Sequence, residues 1–142
     1  MRMQTGLTRE QLEADGWKPR ELAGFMGTAG PLWTRREAQG WRYGLLVGEQ
    51  HLNPAGVMHG GALATLLDHV VSTVAWEACD RKPCVTVQLD SQFLAAVQVG
   101  QFVEGSARVQ HRTRGLIFMQ GQVSAAGQAV LSGQAILKVM GG

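Results

Sequence analysis

Between His51 and Trp76 the chain reads HLNPAGVMHGGALATLLDHVVSTVAW, and Asp68 is its only acid, with no Lys or Arg beside it. Around Asp68 stand Leu63, Leu66, Leu67, Val70, Val71 and Val74, a run apolar enough for the most deeply buried helix of the protein. A carboxylate in such a setting is costly unless it is paired, hydrogen-bonded or reached by water. Either the helix turns Asp68 outward, or the protein keeps it for chemistry. Gly60 and Gly61 stand at the N-terminal end of the same run, where the first backbone N–H groups of a helix lack intrahelical partners. Glycine there lets a ligand come close to the backbone. Such N–H groups, reinforced by the helix dipole, can polarise a carbonyl and stabilise a developing oxyanion. A carboxylate can serve as nucleophile or as base toward water. Together the two features make half of an acyl-transfer site.

The spacing adds a constraint. Gly60 and Asp68 are eight residues apart, which is ~12 Å along a helix rising 1.5 Å per residue. One chain cannot bring both to the same carbonyl. If both act, Asp68 of one chain meets the Gly60 end of another, so an obligate dimer with two shared sites is expected. Taken singly, each feature has a plainer reading. A Gly-Gly pair before a helix is more often a turn, and a lone Asp can sit on an exposed helix face. His59 and His69 are by default hydrogen-bonded structural residues. The sequence contains neither H-E-x-x-H nor G-x-S-x-G, so zinc chemistry and the usual serine hydrolase are not expected.

The elements that must hold these residues follow from the pattern. Thr8 followed by REQLEADG reads as a short capped helix with a glycine stop. GFMGTAGPLW reads as loop and turn, and strands are expected over 32–37 and 41–48. In the second strand Trp41, Tyr43, Leu45 and Val47 alternate against Arg42, Gly44 and Leu46. HLNPAG is broken by Asn53-Pro54 and Gly56. The helix is then expected from about Gly60 to Cys79, apolar on most faces, as in a helix wrapped by a sheet. In CVTVQLDSQFLAAV, the pattern puts Val85, Val87, Leu89 and Phe93 on one face and Thr86, Gln88, Asp90 and Gln92 on the other. Three more alternating runs follow, joined by RTRG and AAGQ, with AAVQVGQ before them; all three joints are short enough for hairpins. The expected fold class is α+β, one antiparallel sheet against one long helix, as a single domain over 1–142 with a helix-and-loop extension over 1–31.

Composition narrows the class. A chain of 142 residues is one domain's worth. The net charge of +2 comes from scattered residues, which argues against a nucleic-acid surface. No apolar leader is visible in MRMQTGLTREQLEADG, and no run reaches the ~20 apolar residues of a membrane span. Cys79 and Cys84 flank DRKP; a short-range disulfide or half of a metal site are alternatives to two reduced thiols, which a cytosolic protein would keep. A cytoplasmic location is the expectation. Glycine, at 19 residues, is nearly twice the usual ~7%, a sign of turns, bulges and close backbone approaches.

The string N-P-A-G-V-M-H-G-G-A-L-A-T-L-L-D, from Asn53 to Asp68, resembles the signature of hotdog-fold thioesterases of the phenylacetate-degradation (PaaI-type) class. The resemblance covers roughly 32–140. It implies a hotdog fold, an antiparallel sheet wrapped around one central helix, and hydrolysis of acyl-CoA thioesters to free acid and coenzyme A. It further implies that Asp68 is the catalytic nucleophile or general base and that the Gly60 N–H polarises the thioester carbonyl. Asn53 matches the asparagine that helps place the water or carbonyl, His59 the histidine that shapes the helix start, and Thr86 a hydroxyl near the attacking water. Gly61, Arg112, Arg114 and Gly115 are candidates for substrate and coenzyme A contacts. No metal and no cofactor are implied, coenzyme A arriving as part of the substrate. Homodimers are expected, and their pairing into tetramers is common in the family. The F-L-A-A-V run departs from a family pattern that often carries proline at the position of Ala96. Trp17, Phe25, Met26 and Trp33 either cover the acyl pocket or pack as core. The competing readings are a non-catalytic acyl-CoA-binding protein and a hotdog dehydratase or hydratase, whose motifs are not found.

Overall fold

The long apolar helix fixes the architecture. A computed structural model gives the fold of residues 7–141. Helix α3 runs Gly60–Ala78 and buries Leu63, Leu66, Leu67, Val70, Val71 and Ala75, residues spaced at three and four as one face of a helix requires. Leu66, Leu67, Val70 and Val71 are wholly removed from solvent, each contributing roughly 1.5–3 kcal/mol of apolar burial. What they pack against is a seven-stranded antiparallel sheet in the order β1-β2-β3-β5-β6-β7-β4. Its strands are β1 Lys18–Arg20, β2 Leu32–Glu37, β3 Gly40–Leu46, β4 Cys84–Phe93, β5 Phe102–Arg112, β6 Leu116–Ala125 and β7 Gln128–Val139. This is the hotdog fold, with α3 as its core.

The helix sits close to the sheet because glycines face it. A Cβ on Gly105 would stand 2.9 Å from Val70, and one on Gly121 would stand 2.6 Å from Leu67 and 3.0 Å from Val71. A Cβ on Gly133 would stand 2.5 Å from the Asp90 carbonyl and 2.7 Å from Leu67. Ala107, Gly121, Gly133 and Ser91 are successive register partners across β5, β6, β7 and β4. They form one row of small residues beneath the helix.

The expected strands over 32–37 and 41–48 correspond to β2 and β3, and the capped helix to α1, Arg9–Ala14, with a capping box from Thr8 and Gln11. Four features differ from expectation. GFMGTAGPLW contains a one-turn helix, α2, Phe25–Ala29, and Lys18–Arg20 pairs with β2 as an extra strand. AAVQVGQ is not a hairpin: β4 pairs with β7 at the sheet edge, while β5 pairs with β3 and β6. The joint crosses the N-terminal end of α3, where Val97 is buried and its carbonyl accepts the Met58 N–H. The faces of β4 also change partway. Register steps from Thr86↔Leu137 to Gln88↔Ile136, so Val87 is an unpaired bulge residue. Thr86 therefore shares the helix side with Leu89, while Val85 and Val87 are 50% and 57% exposed.

The N-terminal segment packs as core on the opposite side of the sheet. Leu12, Trp17, Trp33 and Phe102 form a second buried cluster, with Trp17 edge-on to Phe102 at 4.8 Å between ring centroids. Trp17 and Trp33 thus cover the back of β2, β3 and β5 and not a pocket at the helix. Phe25 is exposed, and Met26 packs against the main core.

Gly133→Ala is expected to destabilise the protein by about 1–3 kcal/mol, because backbone lies on one side of the new methyl and Leu67 on the other. Urea unfolding followed by circular dichroism checks this; a loss below about 0.5 kcal/mol would mean that the helix is free to lift.

Candidate active site

Three groups of residues are strung along α3. At its centre, Asp68 is half-buried, on a turn that faces β4. The Thr86 hydroxyl donates to Asp68 Oδ1 at 2.7 Å. Ser72, one helical turn beyond Asp68, brings its hydroxyl within 3.3 Å of Thr86 Oγ1. Since the Thr86 proton goes to Asp68, the Ser72 hydroxyl is the donor in that second contact. The chain Ser72→Thr86→Asp68 fixes one carboxylate oxygen and leaves Oδ2 for other work. The question the sequence posed is answered by this geometry: Asp68 is neither a free surface residue nor a bare buried charge.

At the start of the helix, His59 is the N-cap and its Nδ1 accepts from the Gly61 N–H at 2.7 Å. The Ala62 and Leu63 N–H groups return to the His59 carbonyl. Gly61 is therefore occupied within the chain, and the Gly60 N–H is the one donor of this turn without a partner among the described residues. A Cβ on Gly60 would stand 3.2 Å from the Phe93 ring, so the ring lies over this part of the backbone. Asn53 organises the loop that leads here. Its Oδ1 accepts from the Ala55 N–H at 2.9 Å and the Val57 N–H at 3.2 Å, and its backbone N–H donates to the Val57 carbonyl. The carboxamide oxygen is thus committed to the loop, leaving Nδ2 as the donor that remains.

The loop is tied down by His51, which the sequence reading passed over. It is 4% exposed. Its Nδ1 accepts from the Gly48 N–H at 3.0 Å, which puts the ring proton on Nε2, facing the Ala29 carbonyl. The His51 carbonyl takes the His59 N–H at 2.7 Å. Nothing local in the sequence signals this, because Ala29 lies 22 residues away. Ser72 did carry a signal, standing four residues after Asp68 on the same helix face.

At the far end of α3, Arg112 donates to the Ala78 carbonyl at 2.9 Å, closing the C-terminal turn as a cation does best. Arg114 and Gly115 are exposed in the β5–β6 turn, and the Gly115 carbonyl accepts the Val139 N–H. The structure thus unites Asp68 with Thr86, and Gly60 with His59, Gly61 and the Asn53 loop. It keeps Arg112, Arg114 and Gly115 apart from both. Cys79 and Cys84 are free thiols, that of Cys84 pushed up to about 11 by burial and by its hydrogen bond with Cys79. Among the described residues no His, Cys, Asp and Glu cluster could hold a metal ion. No described helix is long and apolar enough to cross a membrane.

The thioesterase superfamily profile matches residues 55–132, from just after Asn53 into the first half of β7. A Pseudomonas aeruginosa protein provisionally named an esterase is 30% identical over 103 residues, covering 71% of this chain and 77% of that one. Mouse acyl-coenzyme A thioesterase 13 is 33% identical over 73 residues, 51% of each chain. A Bacillus halodurans protein solved with CoA superposes with a TM-score of 0.77 at 23% identity, covering 87% of this chain and 83% of that one. The chain belongs to the thioesterase superfamily. It spans little more than half the length of several curated relatives that it matches.

His69, next to Asp68, gives a test of burial at the site. Burial lowers its pKa below the ordinary 6.5, with the Asp68 charge opposing the shift. Above 6.5 the ring is neutral in both folded and unfolded chains. Below that value the unfolded chain takes up a proton that the folded one refuses, so stability falls progressively as pH drops toward the lower folded-state value. His69→Gln is expected to flatten the pH dependence of the urea midpoint below pH 6.5; identical slopes in the two proteins would contradict the burial.

Proposed function

We propose that the protein hydrolyses acyl-CoA thioesters to a free acid and coenzyme A, at sites completed by two chains. The observation that carries this reading is a half-buried carboxylate held by Thr86 on the same helix whose first glycine N–H is left open. In the proposed reaction the thioester carbonyl oxygen accepts from the Gly60 N–H, which gains strength as the oxygen becomes an oxyanion. Asp68 Oδ2 takes one of two routes with this one geometry. As base, it removes a proton from water while the water oxygen bonds to the carbonyl carbon. As nucleophile, it bonds to that carbon itself, giving an anhydride that water then cleaves. Either way the carbon–sulfur bond breaks, and coenzyme A leaves as a thiolate that is protonated in water. Asn53 Nδ2 supplies a second donor near the Gly60 end. Membership of the thioesterase superfamily supports the reaction class, as do the names of relatives such as mouse acyl-coenzyme A thioesterase 13.

The separation of ~12 Å between Gly60 and Asp68 along the helix is what calls for a second chain. The register of β4 supports a particular pairing. Thr86 lies near one end of β4, beside Asp68, and Phe93 at the other end, beside Gly60. β4 is the edge of the sheet, carrying exposed Val85, Val87 and Phe93, an edge of the kind that recruits another strand. Antiparallel pairing of two β4 edges about a twofold axis between Leu89 and Asp90 sets Thr86 of one chain against the Phe93 end of the other. That operation joins each Asp68 to a Gly60 across the interface. Pairing of such dimers into a tetramer, and contacts from Arg112, Arg114 and Gly115 to coenzyme A, extend the proposal. A cytoplasmic setting, with no nucleic-acid partner, completes it.

Two substitutions test the chemistry. Asp68→Asn keeps the size and the acceptor for Thr86, and a fall of ~10²-fold or more in kcat is expected, about 3 kcal/mol of transition-state stabilisation. Gly60→Pro deletes one N–H at the first helical position, where proline is well tolerated; His59, at φ −61° and ψ 135°, already has the backbone that precedes proline. A loss of about 10²–10³-fold is expected from it. Thiol release from a panel of acyl-CoAs, with melting curves as a fold control, reads both. If the wild type binds these thioesters without cleaving any, the protein is a binding module; if Asp68→Asn is as active as wild type, the carboxylate is not catalytic.

A further inference from the structure

Beside the open Gly60 N–H lies an apolar recess. Met58, Leu63, Phe93, Leu94, Ala95 and Ala96 line it together with Gly60, and it measures about 350 Å³. Its side chains offer no charge and, apart from the weak Met58 sulfur, no hydrogen-bonding group, so what is polar in its wall is backbone, the open Gly60 N–H included. Phe93 and Leu94 are 53% and 54% exposed, although both are large and apolar. We infer that this recess receives the acyl group of the substrate, that it admits a compact acyl group in preference to a long fatty chain, and that Phe93 and Ala96 set the limit. The inference rests on the thioesterase reading and deepens it.

Chemistry selects the occupant. A thioester whose carbonyl oxygen sits on the Gly60 N–H has two arms, an acyl chain and a coenzyme A carrying phosphates. Phosphates would lose hydration against Met58, Leu63 and Phe93 without compensation, whereas an alkyl or aryl group gains about 25 cal/mol for each Å² it buries. The acyl arm therefore takes the recess and coenzyme A runs the other way. Size selects the class. About 350 Å³ is near the lower end of the ~300–1,000 Å³ of sites that hold drug-sized molecules, and part of it is the open mouth. A short chain or a single ring fills it; an extended fatty chain would have to leave through the mouth, toward the side where the proposed partner chain meets the Phe93 end of β4. Phe93 bounds the recess on the Gly60 side, its ring 3.2 Å from where a Gly60 Cβ would be. Leu63, buried in the core, lines it from the helix. Ala95 and Ala96 have the smallest side chains of the lining, so at these positions added bulk would consume space that is now free.

The test uses the full-length protein and two matched series running from acetyl to palmitoyl. One is acyl-CoAs, read as kcat/KM for thiol release. The other is CoA ketones in which a methylene replaces the thioester sulfur, which cannot be hydrolysed and are read as Kd. Wild type is expected to favour the short members in both. Phe93→Ala is expected to raise long-chain relative to short-chain kcat/KM and affinity by tenfold or more, and Ala96→Leu to lower both for the bulkier members by a similar factor. Melting curves establish that the variants are folded; should Phe93→Ala fail to fold, Phe93→Leu serves in its place. If neither variant changes the chain-length profile of Kd or of kcat/KM, the recess is not the acyl site, whatever the activity. If the Kd profile shifts as expected while no thioester is cleaved, the recess holds the acyl group and the hydrolytic reading fails instead.

Discussion

Everything at the site depends on how closely one helix lies on one sheet. The row Ala107, Gly121, Gly133 and Ser91, with Gly105 beside it on β5, lets Leu67, Val70 and Val71 reach the backbone of the strands. A row of ordinary side chains would lift α3 by the width of a methyl group or more, and core packing does not absorb such a change without loss. Lifting the helix would also part Asp68 from Thr86, whose bond spans helix and sheet at 2.7 Å. The glycine content that looks like loop chemistry in the composition is thus partly a packing device. It sets the distance on which the carboxylate's orientation rests.

A second constraint follows from the straightness of the helix. The acid and the open N–H share one rigid element, so neither can move toward the other. What the chain gains is precision at both ends: Asp68 is steadied by Thr86 and Ser72, and the helix start by His59, His51 and Asn53. The proposed cost is that a chain alone has two half-sites and no whole one. The edge strand β4 carries both halves at its two ends, which makes a twofold axis through its middle the simplest operation that completes them.

Much of this was legible in the sequence where the pattern is local. The strands β2 and β3 and the limits of α3 follow from two- and three-to-four-residue periods, and the spacing of Gly60 and Asp68 already carried the two-chain constraint. The rest depended on partners far away in the chain. The bulge at Val87 exists only against β7, and it turns Thr86 toward the helix while the simple alternation placed Val85, Val87 and Leu89 together. The AAVQVGQ run between β4 and β5 looks like a hairpin until β7 claims β4. Lys18–Arg20 has too few residues to show a period and becomes a strand by pairing with β2. The engagement of Arg112 with Ala78 and the role of Phe93 beside Gly60 emerge only when the strand ends meet the helix ends.

The central claim, that each site is shared by two chains, is tested most directly by complementation. Asp68→Asn and Gly60→Pro proteins, each inactive alone, are unfolded together, refolded as an equal mixture and assayed for thiol release. A mixed dimer would have one site with both defects and one with neither. Random assortment makes half of the dimers mixed, so the mixture is expected to recover about a quarter of wild-type activity. Activity no higher than the average of the two separate variants, with mixed dimers shown to be present, would mean that Asp68 and Gly60 do not meet across an interface.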